Sequence, residues 1–90
     1  MGATMDVDNL SPVSRALLLQ ALSGGQLVNV LYHDGARVEG GIDRDRRCFA
    51  LGERGWLNFL GWERGADVTT RWALTVRAQE LLDGADCRAV

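Results

Sequence analysis

The sequence predicts one small α+β domain with the element order helix, hairpin, helix, hairpin, helix. An apolar helical run is bounded by Ser11-Pro12 on one side and Gly24-Gly25 on the other. Two stretches of β-forming residues each break at a turn signal, Asp34-Gly35 in the first and Glu63 to Asp67 in the second. After each of these stretches the apolar spacing returns to a helical period. A chain of 90 residues holds one core and little enclosed volume beside it.

Residues 1–10 contain little that could join a core and read as a flexible tail, so the domain is expected over 11–84, with a second tail over 85–90. Ser11 is an N-cap residue and Pro12 suits the first helical position. The apolar run that follows predicts a helix over 12–22, stopped by the glycine pair. Its apolar residues cover nearly the whole circumference, which predicts a helix covered on more than one side. Leu27 to Tyr32 favour a strand, His33 to Ala36 a turn, and Arg37 to Ile42 the return strand, weakened by Gly40 and Gly41. Asp43 then caps a second helix over 43–54 that stops at Gly55. On a wheel, Cys48, Phe49, Leu51, Gly52 and Trp56 share one face, and Arg46, Arg47, Ala50, Glu53 and Arg54 the other. Trp56 to Trp62 reads as a strand or as the helix end leading into one, and Val68 to Leu74 as the strand that returns. Thr75 caps a last helix, Val76 to Leu82, ending at Gly84. The predicted core includes Leu17, Leu22, Leu51, Trp56, Leu57, Leu74 and Leu81.

All ten basic residues are arginine, and twelve acids bring the net charge to -2. An acidic chain is not a non-specific nucleic-acid coat, although a local basic patch is compatible with it. The longest purely apolar runs, such as Ala16 to Leu19, are far too short to cross a bilayer. The N-terminus carries Asp6 and Asp8 in place of a basic start and apolar stretch, so a cytoplasmic protein is expected.

Nucleophilic catalysis would require Cys48 beside His33, with Asp34 to orient the ring. A turn histidine and a thiol on an apolar helix face explain both residues without chemistry, so no enzyme is expected. One histidine and two cysteines 39 positions apart, Cys48 and Cys87, make neither a metal cage nor a disulfide framework. The glycines form no phosphate loop, and Asp43 with Asp45 reads as a pair of first-turn acids facing a helix dipole. No cofactor is expected.

The arginine cluster is the sharper signal. From Asp43 to Gly55 four arginines oppose three acids, while the rest of the chain is net acidic. Arg46, Arg47 and Arg54 share an arc of about 100° on the predicted helix. Arg64 and Arg71 lie on the hairpin that follows.

Two stretches resemble a winged helix-turn-helix domain. Ala50 to Leu57 is similar to the end of that family's recognition helix, with Leu51 three residues before Arg54-Gly55 and Trp56-Leu57 entering the first wing strand. Trp72 to Leu82 is similar to the last wing strand running through Leu74-Thr75 into a closing helix ending in Leu81-Leu82. Gly65 would mark the wing tip, and Ser11 to Leu22 fits the family's first helix. Ala78 stands where the family usually has glycine, and Gln26 to Ile42 reads as a hairpin where the family places its second helix and turn.

The resemblance implies a winged-helix-like fold and a small DNA-binding protein, a transcriptional regulator or phage accessory factor; the limited affinity of one domain points to a homodimer, for which the apolar first helix offers surface. Arg46, Arg47 and Ala50 would enter the major groove and Arg54 would hold phosphate. Arg64 and Arg71 would touch backbone or minor groove from the wing. The alternative is a protein-binding inhibitor or adaptor of mobile-element origin, with Trp62 and Trp72 as anchors.

Overall fold

The computed structural model describes residues 5–89, with side chains as far as Gly84. It is an α+β domain whose four strands form one antiparallel sheet. A 3-10 turn, Val7–Asn9, leads into α1, Pro12–Gly24. Ser11 caps α1 by accepting the Ser14 amide at 3.1 Å, and Gly25 ends it with φ of 84°. The helix runs two residues beyond the predicted stop at Leu22.

β1, Leu27–His33, turns through Asp34 and Gly35 into β2, Ala36–Arg37. Both turn residues have positive φ, 48° and 79°, as a two-residue hairpin loop requires. The return strand is therefore two residues long, and the expected strand from Arg37 to Ile42 does not form. The chain leaves the sheet at Val38, whose amide donates to the Leu31 carbonyl at 2.9 Å, and winds at once into α2, Glu39–Glu53. The N-cap is thus Val38, with no side-chain cap, and Asp43 lies inside the helix.

Gly40 and Gly41 read in the sequence as residues that weaken a strand. In the fold Gly41 lets α2 begin directly on β1: a Cβ there would stand 1.7 Å from the Val30 carbonyl oxygen. The contact falls beside the register shift between Val30 and Tyr32. At its other end α2 closes in a Schellman motif, with the Trp56 amide on the Leu51 carbonyl, the Gly55 amide on that of Gly52, and Gly55 at φ 88°.

β3, Leu57–Arg64, and β4, Asp67–Leu74, form a hairpin longer than predicted, with a register shift between Phe59 and Gly61. The sheet order is β2-β1-β4-β3. α3, Val76–Ala89, starts at Thr75, whose hydroxyl accepts the Ala78 amide at 3.1 Å. It passes Gly84 without stopping, so the tail expected from 85 is helical to Ala89.

One core joins the helices to a single sheet face: Leu17, Leu18 and Ala21 from α1, Cys48 and Leu51 from α2, Ala78 and Leu82 from α3, packed on Leu27, Leu57 and Trp72. Of the predicted core, Leu17, Leu51, Trp56 and Leu57 are buried, while Leu22, Leu74 and Leu81 pack partly buried against it. Val7 and Leu10 belong to the same cluster and Met5 packs on it, so from residue 5 the expected flexible tail is docked; residues 1–4 lie outside the described residues. Val28 and Tyr32 are exposed on β1, as expected of a sheet covered on one side. Among the described residues no helix is long and apolar enough to cross a membrane.

Candidate functional site

α2 has three faces. Cys48 and Leu51 point into the core. About a third of a turn away lie Arg46, Arg47, Ala50 and Arg54, and Asp45 and Phe49 occupy the remaining arc. Arg46, Arg47 and Ala50 are exposed and Arg54 is half-buried. With Asp43 and with Ser14 of α1, these four line one open cleft of about 580 Å³. A second groove, of about 800 Å³, adjoins it between α1 and α2 and shares Asp43 and Arg47.

Five arginines outside the cleft are engaged by another side chain, whereas exposed Arg15 on α1 has no such partner among the described residues. Arg37 bonds to Glu39 at 2.5 Å, Arg44 to Gln20 at 2.9 Å, Arg71 to Glu63 at 2.8 Å, and Arg77 approaches Glu80 at 3.9 Å. Arg64 lies over the Trp62 ring, 5.9 Å from its centroid. Arg46, Arg47 and Arg54 have no side-chain partner among the described residues. The structure therefore brings four of the six predicted DNA-contact residues into one cleft. Arg64 and Arg71 lie apart on the hairpin, engaged by Trp62 and Glu63.

Trp62 is 54% exposed and Trp72 4%. Trp72 is therefore no surface anchor: its ring packs in the core and its indole N–H donates inward to Asp45 at 3.0 Å. Asp45, read in the sequence as a first-turn acid, sits in the second turn of α2 and faces the sheet. Its Oδ1 also accepts from the Thr70 hydroxyl at 2.5 Å and from Asn29 Nδ2 at 3.3 Å. Asn29 and Thr70 are themselves buried, so this carboxylate satisfies polar groups that would otherwise be stranded under the helix. Phe49 of α2 and Phe59 and Trp62 of β3 stay exposed around it, and with Asp45 and Trp72 they line a pocket of about 230 Å³. Sequence reasoning missed Asp45 and both phenylalanines. The available signal was the helix wheel, which places Asp45 and Phe49 four residues apart on an arc beside that of the arginines.

Cys48 and His33 do not meet. The Cys48 thiol is buried, in contact with Asn29 Nδ2 at 3.5 Å, and burial pushes its pKa above the ordinary value, the reverse of an activated nucleophile. His33 stands at the exposed end of β1, with Nδ1 2.6 Å from Asp67 and Nε2 3.6 Å from Asp34. The ligand atoms of these three side chains lie within 4.8 Å of one another, a grouping that the spacing in sequence does not reveal. Each ring nitrogen faces a different carboxylate, so the imidazole links the turn to β4. The side chain of Cys87 lies outside the described residues. Comparison of the chain with family models, characterised proteins and solved structures finds no match.

Proposed function

We propose that the chain is a small DNA-binding protein, a transcriptional regulator or accessory factor, that lays the arginine face of α2 on duplex DNA. The observation that carries this reading is the convergence of Arg46, Arg47 and Arg54, without a partner among the described residues, on one open cleft. Guanidinium forks left free on a rigid helix match phosphate oxygens and the acceptor edge of guanine. Ala50 between them leaves room for close approach. The order of elements supports a winged-helix-like scaffold: α1 precedes β1, α2 precedes the β3–β4 hairpin, and β4 lies between β1 and β3. Among the described residues a single helix lies between β1 and β3, so α2 alone would do the reading. Arg64, near the hairpin tip, would add a phosphate contact. Two copies would raise affinity, and the exposed Val13 and Leu19 of α1 offer apolar surface for pairing. The test is fluorescence anisotropy with a labelled duplex. Affinity at low salt that falls in Arg47→Ala supports the reading, and no duplex affinity refutes it.

One observation favours the second reading, a protein-binding inhibitor or adaptor: Phe49, Phe59 and Trp62 are exposed side by side. On that reading Trp62 is the anchor, and Arg46→Ala with Arg47→Ala leaves partner binding unchanged.

A further inference from the structure

The aromatic pocket beside α2 has a chemistry of its own. Phe59 meets Trp62 edge-on, with ring centroids 6.0 Å apart and planes at 75°, and leans on Trp72 at 5.0 Å and 58°. Phe49 closes the helix side, and Asp45 is the pocket's one charged group. Asn29, Thr70 and Trp72 all donate to Oδ1, which holds the carboxylate in place, while Oδ2 accepts no hydrogen bond from the described residues. Aromatic faces carry negative electrostatic potential and the carboxylate adds a full negative charge. An anion would be repelled, and a neutral apolar group would bury Oδ2 unpaired. About 230 Å³ is below the size of drug-like sites and suits a head group of a few heavy atoms. Trp62 already holds one cation, the guanidinium of Arg64, which is not among the groups lining the pocket.

We propose that the Asp45, Phe49, Phe59, Trp62 and Trp72 pocket binds an organic cation, a methylated ammonium head group. The aromatic rings surround the methyl groups and the Asp45 carboxylate neutralises the charge. The inference is independent of the DNA reading, because none of Arg46, Arg47 and Arg54 lines this pocket, and Arg47→Ala leaves it unchanged.

The test follows the three indole N–H signals by NMR as choline is added, with its neutral isostere 3,3-dimethylbutanol as control. Choline is expected to bind with a Kd on the order of 1 mM. It shifts Trp62 and Trp72 and leaves the fully buried Trp56, which does not line the pocket, in place. The alcohol binds about tenfold or more weaker, since it lacks the cation's attraction to the rings and to Asp45. Trp62→Ala, at an exposed position that the fold does not need, abolishes the response. Asp45→Asn keeps an oxygen for the three donors and weakens choline by about tenfold. A short peptide carrying one trimethyllysine distinguishes the source: tighter binding than choline assigns a protein side chain, and equal or weaker binding a free small molecule. Equal binding of choline and the alcohol would overturn the proposal. So would an unchanged choline affinity in Trp62→Ala, or no indole shift at about 100 mM choline.

Discussion

A single methyl group at Gly41 should cost more stability than the same methyl at its neighbour restores. The Cβ of Gly41→Ala would lie 1.7 Å from the Val30 oxygen and 2.8 Å from the Val30 carbonyl carbon. Carbon-to-oxygen contacts settle near about 3.3 Å, so the start of α2 and β1 must part by about 1.6 Å. That is close to the rise of one helical residue, about 1.5 Å, and it would draw Asp45 away from Thr70, Trp72 and Asn29. Forcing an extra methyl into a packed contact costs about 1 to 3 kcal/mol. Weakening two or three hydrogen bonds adds about 0.5 to 1.5 kcal/mol each, against a gain of about 1 kcal/mol in helix propensity. The net loss is about 1 to 6 kcal/mol. At Gly40 a Cβ meets nothing within 4 Å, so Gly40→Ala keeps only the propensity gain, up to about 1 kcal/mol. Urea unfolding reads the pair directly. With a slope of about 1 kcal/mol per molar, Gly41→Ala lowers the midpoint by about 1 M or more, while Gly40→Ala raises it by up to about 1 M. Midpoints moving together by a few tenths of a molar would refute the packing of α2 on β1 and restore the strand read from Arg37 to Ile42.

Leu51→Ala, at a core position 2% exposed, should destabilise the domain by about 2 to 5 kcal/mol through the cavity it leaves; calorimetry showing less than 1 kcal/mol would place Leu51 outside the core. Burial raises the Cys48 pKa above its ordinary 9.0, so folding favours the protonated thiol. That contribution is fully present below the unfolded pKa and is lost as pH rises from 9.0 through the higher folded value. In a Cys87→Ser chain, native alkylation should stay slow up to about pH 9, and Cys48→Ser should remove part of the stability loss above it. Fast alkylation at neutral pH would contradict the buried thiol.

The fold was legible wherever local chemistry decides conformation. Ser11-Pro12, Asp34-Gly35, Gly55 and Thr75 each mark a boundary that the structure uses, because caps and positive-φ turns depend on a few adjacent residues. The start of α2 was not legible. Gly40-Gly41 is compatible with a weak strand or with a helix pressed on a neighbouring strand, and only the Val30 carbonyl, eleven residues earlier, distinguishes them. Gly84 misled for the opposite reason: a glycine ends a helix only when the next residues turn away, and α3 continues. At the candidate site, the arginine arc follows from helix periodicity and was readable. The Asp45 pocket was not, since it requires knowing that Asn29, Thr70 and Trp72 from two paired strands lie under that turn of α2. Trp72 was open to an anchor or a core reading because alternation along a strand does not tell which sheet face the helices cover.

The salt dependence of duplex binding tests the central claim most directly. If Arg46, Arg47 and Arg54 each neutralise one phosphate, the logarithm of affinity should fall against that of salt with a slope of about -2.7 per protein chain. Arg64 would steepen it by about one further unit. Replacing any one of the three by alanine should flatten the slope by about 0.9, on specific and random duplexes alike for a phosphate contact. An arginine bonded to a base instead leaves the slope and lowers affinity only for the preferred sequence, by about 1 to 3 kcal/mol. Undetectable duplex binding at low salt, or affinities and slopes identical in the wild type and the Arg46→Ala, Arg47→Ala, Arg54→Ala chain, would contradict the account.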